Sequence, residues 1–357
     1  MNISIVIPTF NESKNIISLI DEIKSVLDGI NFEIIVVDDS SPDGTHEIIK
    51  DYILKNNSTN ISCINRTWKK GLSSAVIEGI ALSNKDYICV MDGDGQHDPK
   101  NIPHMLDVFK KENIDLIIGS RFLENSSSKS LSKKRNFLSE AGIQLCQFFL
   151  NKKITDPLSG FFIVKRRDIE IFKKVLYKDG FKILFDYLML AKPKKIYEIQ
   201  INFRKRLHGA SKLNLSTMIS LLGQIIENKT RGLIPGTFII FSAVGLSGLL
   251  IHLSLLNILL LMTNNFTYSN IIGVIGAMTT NYLLNNYFTF HNMHNTLASK
   301  FIGLIKYYVT NSVPIFANIG IASQLYFSNY TLYFSVISGV FAGLILNYFL
   351  SRNIVFR

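Results

Sequence analysis

The sequence predicts an α/β chain: a mostly parallel, Rossmann-like sheet domain followed by an all-helical, apolar half. Three observations carry that prediction. Short apolar runs alternate with helix-period segments through the first half, the pattern of a parallel sheet with helices on both faces. Those runs end in polar clusters at Pro8–Glu12, Asp38–Asp43 and Asp92–Gln96. Beyond Arg231 charges nearly vanish and long apolar runs take over.

In order, Ile3–Ile7 reads as a buried strand stopped by Pro8. Asn11 or Ser13 can cap a helix whose inner face carries Ile16, Ile17, Leu19, Ile20 and Ile23. Phe32–Val37 is a second strand, followed by a helix from Thr45 to about Leu54 and a short strand near Ile61–Asn65. Lys70-Gly71-Leu72-Ser73 opens a helix reaching Leu82, and Tyr87–Met91 and Leu116–Gly119 are further strands. Phe137–Leu150, entered through Lys133, Lys134 and Arg135, reads as an amphipathic helix, either interfacial or core. The segment 214–231 reads as an interfacial helix leading into four spans, at Gly236–Met262, Tyr268–Phe290, Phe301–Phe327 and Leu332–Leu350. Each can cross a hydrocarbon core that needs ~20 apolar residues. The expected division is thus 1–213, 214–231 and 232–357.

A formal net charge of +11 calls for an anionic partner. Because the basic residues cluster beside the apolar half, that partner is expected to be the bilayer and phosphate-bearing substrates rather than nucleic acid. Lys229, Arg231, Lys300, Lys306, Arg352 and Arg357 fall on one side of the expected spans, which places both termini in the cytoplasm. The chain opens directly into a strand, with no secretory leader pattern. Cys63, Cys89 and Cys146 have neither metal nor redox spacing, and the first two lie in apolar runs.

The chemistry concentrates at strand ends, where α/β sheets bind ligands. Asp92-Gly93-Asp94-Gly95-Gln96 puts two carboxylates one residue apart, a pair able to take a hard divalent cation through oxygen while leaving room for phosphate oxygens. Asp38-Asp39 can be a helix-approach turn or an acceptor for a ribose or base edge. Glu12 is open to the same choice. Lys70 with Gly71 can start a helix or offer donors to a diphosphate. Arg204–Lys212 can be a solvated loop or a phosphate-binding one.

Taken together, Pro8–Glu12, Val37–Thr45, Lys70–Leu72 and Asp92–Gln96 resemble, in order and spacing, the motif series of family-2 glycosyltransferases of the GT-A fold. The nearest type is the dolichyl- or polyprenyl-phosphate mannose synthases. The resemblance implies GDP-mannose or another sugar nucleotide held by Pro8, Phe10, Glu12, Val37, Asp39, Ser40, Lys70, Asp92, Gly93, Arg206 and Lys212. It implies Mg²⁺ or Mn²⁺ on Asp92, Asp94 and Gln96, an acceptor phosphate on Arg121, Arg135 and Ser139, and Asp94, Arg121 and Arg206 as the catalytic set. Asp156–Phe161 resembles a further family motif. The apolar half resembles GtrA-like four-helix modules, and Asn281-Tyr282 recurs as Asn347-Tyr348, each running on to an aromatic (Phe290, Phe356).

The expected activity is inverting transfer of mannose to dolichyl or polyprenyl phosphate at the cytoplasmic face. UDP-glucose as donor is the enzymatic alternative, and a glycolipid carrier is the alternative of another class. A processive polysaccharide synthase is excluded because its Gln-x-x-Arg-Trp motif cannot be formed around Trp68, the single tryptophan. The scarcity of intramembrane acids and bases disfavours an ion-coupled transporter.

Overall fold

Alternation along the first strand sets the layering of the sheet domain. In β1 (Asn2–Thr9), Ile3, Ile5 and Ile7 point to one face and Ser4 and Val6 to the other, and all are buried. A strand apolar on both faces needs helices above and below it. A computed structural model of the chain describes residues 1–67, 71–112, 114–123, 133–150, 152–171, 182–204, 215–230, 232–290, 294 and 296–356, with backbone alone for 133–139 and 215–218.

After β1 come α1 (Ile16–Val26), β2 (Asn31–Asp38), α2 (Thr45–Lys55), β3 (Ile61–Asn65), α3 (Leu72–Leu82), β4 (Tyr87–Val90), α4 (Asn101–Glu112) and β5 (Leu116–Ser120). They are followed by α5 (Lys133–Phe149), β6 (Phe162–Lys165), α6 (Arg166–Glu170), α7 (Ile183–Ala191), β7 (Ile196–Gln200) and α8 (Leu215–Lys229). The sheet order is β3-β2-β1-β4-β6-β5-β7. Every pairing is parallel except those of β6, which runs antiparallel to both β4 and β5. One core layer joins Ile3, Ile5, Ile7, Ile34 and Val36 to Ile20, Ile49 and Leu106. The other joins Val6, Ile88 and Phe162 to Val76, Leu184 and Tyr187.

The chain moves outward from β1 to β2 to β3, then α3 carries it back to β4 on the other side of β1. The direction of winding therefore reverses at β1, and the crevice at the carboxyl ends of β1, β2 and β4 is where such sheets bind ligands.

The chain divides into two compact units, Met1–Leu233 and Ile234–Arg357. The helix expected over 214–231 packs within the first unit. Its Leu221 and Ile225 are buried with Cys146 and Phe185, while Leu222 is exposed. The Asp186 carboxylate accepts hydrogen bonds from the side-chain amides of Gln224 and Asn228, both at 2.6 Å.

The second unit contains α9 (Gly236–Thr263), α10 (Phe266–Phe288), α11 (Leu297–Thr310), α12 (Ser312–Phe327) and α13 (Leu332–Leu350), ending in a π-helical turn at Ser351–Val355. The expected third span is not continuous: α11 stops at Thr310 and α12 restarts at Ser312. Pro314 explains the break, since its ring would clash with the Thr310 carbonyl and it has no N–H to donate. Among the described residues two helices, Gly236–Thr263 and the one running from Leu332 to Val355, are long and apolar enough to cross a bilayer. Helices α9 and α10 pair as one hairpin and α12 and α13 as another. The repeated aromatics meet, Phe290 stacking on Phe356 at 4.2 Å and 12°.

Candidate active site

The loops after β1 and β2 are held together by the side chains that make them conspicuous in sequence. Thr9 and Asp38 are register partners. Asp38 is fully buried. Its Oδ1 accepts from Thr9 Oγ1 (2.9 Å) and Ser41 Oγ (2.5 Å), and its Oδ2 from the Ser41 N–H (2.8 Å). Three successive N–H groups of the β1 loop, those of Asn11, Glu12 and Ser13, then donate to Ser41 Oγ, Thr45 Oγ1 and Asp43 Oδ2 at 2.9–3.0 Å. Asn11 and Ser40 adopt left-handed backbone (φ 62° and 52°) to make these turns. Burial opposes charge on Asp43, but hydrogen bonds from Thr45 and Ser13 outweigh it and hold the pKa below its ordinary value. Much of the Asp-Asp-x-x-Pro-Asp-Gly-Thr pattern is thus scaffolding that shapes the crevice.

Asp39 faces the start of α3. Its Oδ2 accepts the Gly71 N–H at 2.7 Å, and its Oδ1 lies 3.3 Å from Arg66 Nε. Arg66 is itself buried, donating to Ser74 Oγ (2.7 Å) and lying 3.4 Å from Glu78. Sequence reasoning missed Arg66, because a lone cation after β3 belongs to no motif. Pro8 lies in register with Val37, and Phe10 and Glu12 are half-buried just beyond, with Glu12 Oε2 accepting from Asn15 Nδ2 at 2.7 Å.

The acidic loop follows β4 directly. A Cβ added to Gly93 would lie 2.9 Å from Thr9 Cγ2, so only glycine lets this loop lie against the end of β1. A Cβ on Gly160 would lie 2.4 Å from Asp92 Oδ2 and 2.7 Å from Oδ1. Asp92's carboxylate therefore occupies the space that Gly160 leaves. Asp94 is 6% exposed and its Oδ1 accepts the Gln96 N–H at 3.1 Å. His97 stacks on Phe161 (5.3 Å) and meets Phe203 edge-on, with Nδ1 3.4 Å from the Asp92 N–H. Burial lowers the His97 pKa by more than Asp92 and Asp94 raise it, so the ring is a neutral brace under the loop.

Gln96 ties the acidic loop to Arg204. The Arg204 N–H donates to Gln96 O at 2.8 Å, and Gln96 Nε2 donates to Arg204 O at 3.1 Å. The Arg204 guanidinium pairs with Glu22 (2.6 Å) and Asp98 (2.7 Å). Arg206 and Lys212, which follow, lie outside the described residues, as does Lys70; Arg135 and Ser139 are described in backbone alone, within α5.

Arg121 is held by a carboxylate. Its Nε and Nη2 donate to Asp156 Oδ2 (2.7 Å) and Oδ1 (2.9 Å), and its guanidinium packs over Phe122 and Phe203. Asp156 is fully buried. Burial lowers the Arg121 pKa, but the Asp156 pair more than restores it and Asp92 adds to the rise. Lys182, half-buried at the start of α7, feels the charges of Asp92, Arg121 and Asp156, while burial holds its pKa below normal. Sequence reasoning missed it too, since it lies 88 positions after Asp94 and 61 after Arg121.

Among the described residues no group of three or more His, Cys, Asp or Glu clusters as a metal site. Two carboxylates and an amide in one loop, Asp92, Asp94 and Gln96, still form an all-oxygen donor set suited to a hard divalent cation. Among the described residues none donates a hydrogen bond to the Asp92 carboxylate, so its oxygens are not taken up by the protein as those of Asp38 are.

Residues 4–172 match glycosyl transferase family 2, and residues 240–356 match the GtrA/DPMS transmembrane domain. The chain is 35% identical over 317 residues to a dolichol-phosphate mannosyltransferase of Pyrococcus furiosus, covering 87% of this chain and 86% of that protein. It is 27% identical to an undecaprenyl-phosphate mannosyltransferase of Micrococcus luteus, covering 65% of this chain and 93% of that protein. Among solved structures it is similar to mannosyl-3-phosphoglycerate synthase from Rubrobacter xylanophilus, at 17% identity and a TM-score of 0.48, covering 65% of this chain and 73% of that one.

Proposed function

This chain belongs to glycosyl transferase family 2 and carries a GtrA/DPMS-type membrane domain, and on that premise we propose that it transfers mannose from GDP-mannose to a dolichyl or polyprenyl phosphate, with inversion, at the cytoplasmic membrane face. The observation that carries this reading is the hydrogen-bonded join between Gln96 and Arg204. It fixes Arg204 against the loop that carries Asp92 and Asp94, and the sequence that follows supplies Arg206 and Lys212, cations that suit phosphate.

In this reading Pro8, Phe10, Glu12, Val37, Asp39 and Ser40 line the nucleoside end, with Asp39 set by Arg66 and Gly71. Lys70, Arg206 and Lys212 serve the diphosphate beside Gly93. Asp92, Asp94 and Gln96 would hold Mg²⁺ or Mn²⁺, which when bound neutralises diphosphate charge and stabilises the leaving nucleotide. Arg121, aimed by Asp156, with Arg135 and Ser139, positions the acceptor phosphate. A phosphate oxygen of the acceptor bonds to the sugar C1 as the C1–O bond to the diphosphate breaks. The acceptor is already anionic near neutral pH, so alignment and charge stabilisation by Arg121 and Arg206 replace a general base.

The test is purified protein with polyprenyl phosphate, Mg²⁺ or Mn²⁺ and a panel of labelled sugar nucleotides. Chloroform-soluble label is expected from GDP-mannose, in the anomeric configuration opposite to the donor, and is expected to vanish in Asp94→Ala. Label from UDP-glucose alone would overturn the sugar assignment, and no lipid-soluble label from any donor would overturn the reading.

A further inference from the structure

A groove of ≈ 440 Å³ opens in the first unit where the carboxyl ends of α5, α7 and α8 converge. Its floor is apolar, with Phe149, Leu188 and Leu190, and Lys152, Lys192 and Lys229 line it with no carboxylate among the lining residues. All three lysines are exposed. Lys229 Nζ lies 5.4 Å from the Phe149 ring centroid, and Lys152 Nζ donates to the Pro193 carbonyl at 3.0 Å. Lysines at helix ends are ordinarily there to offset the helix dipole. Here each of three helices brings about half a negative charge, which leaves the three ammoniums with a net surplus of positive charge over an apolar floor.

Two large apolar side chains close in sequence to lining residues are exposed. Phe148, edge-on to Phe149, is 82% exposed, and Leu233 is 84% exposed. The apolar helix α9 begins at Gly236, seven residues after Lys229. The groove is separate from the reaction crevice. Lys182 starts α7 and Lys192 caps its far end, roughly 15 Å apart at the helical rise.

We propose that this groove binds an anionic glycerophospholipid of the bilayer surface. The lipid phosphate sits among Lys152, Lys192 and Lys229, and an acyl chain lies over Phe149, Leu188 and Leu190. Phe148 and Leu233 enter the interface beside it. The site would fix the height and tilt of the catalytic unit over the membrane, a role the acceptor-phosphate cations do not fill.

The test uses the full chain in which Trp68, the single tryptophan, is replaced by phenylalanine and Leu190→Trp reports on the groove floor. Fluorescence quenching is titrated with phosphatidylglycerol or phosphatidylcholine carrying brominated acyl chains. Stronger quenching by phosphatidylglycerol is expected, with the concentration for half-quenching rising roughly 100-fold when all three lysines become glutamine, from losing three surface attractions. Equal quenching by both lipids, or an unchanged curve in the triple variant, overturns the proposal. Displacement of the brominated lipid by polyprenyl phosphate but not by unlabelled phosphatidylglycerol also overturns it, by assigning the groove to the acceptor. No sugar nucleotide is present, so the outcome does not depend on the proposed glycosyl transfer. Retention of the unfolding midpoint in each variant shows that the fold is intact.

Discussion

Gly160→Ala tests the geometry of the acidic loop with a single methyl group. The added Cβ would lie 2.4 Å from Asp92 Oδ2, where real Cβ contacts essentially never fall below 3.0 Å. The carboxylate oxygen must therefore retreat by about 0.6 Å to reach that limit and by about 1 Å to reach ordinary contact. Misplacing a catalytic group by 1 Å can cost ~10²-fold in rate, and overpacking of this size costs ~1–3 kcal/mol in stability. Gly160 does not occupy left-handed backbone, so the effect comes from the carboxylate rather than from strain. The assay is the initial rate of lipid-soluble label as Mn²⁺ is titrated, alongside the unfolding midpoint. A ~10²-fold lower rate is expected, with half-saturation moved to higher Mn²⁺ and only a small shift in the midpoint. Wild-type rate and wild-type metal response in a folded Gly160→Ala protein would refute the assignment of Asp92 to the reacting centre.

Asp156→Ala removes the partner of a buried pair and should destabilise the first unit by ~3–5 kcal/mol, read by chemical denaturation, while glycolipid formation collapses. Arg66→Met should raise KM for the sugar nucleotide ~10-fold or more, as expected for losing charge-assisted hydrogen bonds, with a smaller effect on kcat; equal loss in both would remove Arg66 from nucleoside positioning. Burial raises the Cys63 thiol to about 12 and pushes Cys89 and Cys146 higher still, so iodoacetamide at neutral pH should label them only after denaturation, as mass spectrometry can follow. Asp43 binds its proton less readily in the fold than in the unfolded chain. Its contribution is therefore present above the ordinary carboxylate pKa and lost as pH falls through the lower folded value. Asp43→Asn should be less stable than wild type at neutral pH, with the gap closing below roughly pH 4 in pH-jump unfolding.

The alternating strands and helices were legible because β1, β2 and β4 are apolar runs ended by acidic turns, and the structure places those turns on one edge. The direction of β6 was not. Phe162–Lys165 is a short apolar run, and such a run carries no mark of whether its neighbours lie parallel or antiparallel. The division of labour within motifs was also hidden. Nothing local tells Asp38 from Asp39, yet one is spent wholly on Thr9 and Ser41 while the other faces Gly71 and Arg66. Arg121 could be named as a phosphate ligand, but its carboxylate partner lies 35 residues away in a turn. In the apolar half, run length alone predicted a continuous third span, although Pro314 carried the signal that splits it.

These hidden partners sort the acids of the crevice into two kinds. Asp38 and Asp43 accept hydrogen bonds from the protein itself, and Asp156 accepts from Arg121; each holds a loop or a cation in place. Asp92 is different. Its carboxylate is shaped by the absence of a side chain at Gly160 and, among the described residues, receives no protein hydrogen bond. A charge kept half-buried without internal donors is costly to the fold, and it is retained beside Arg121 and Lys182, whose fields it shares. In the same neighbourhood Asp156 pairs directly with Arg121, whereas the influence of Asp92 on Arg121 and Lys182 is through its field. Replacing Asp92 by asparagine should accordingly stabilise the isolated fold slightly while abolishing turnover, whereas a loss of stability would mean that Asp92 belongs with the structural acids.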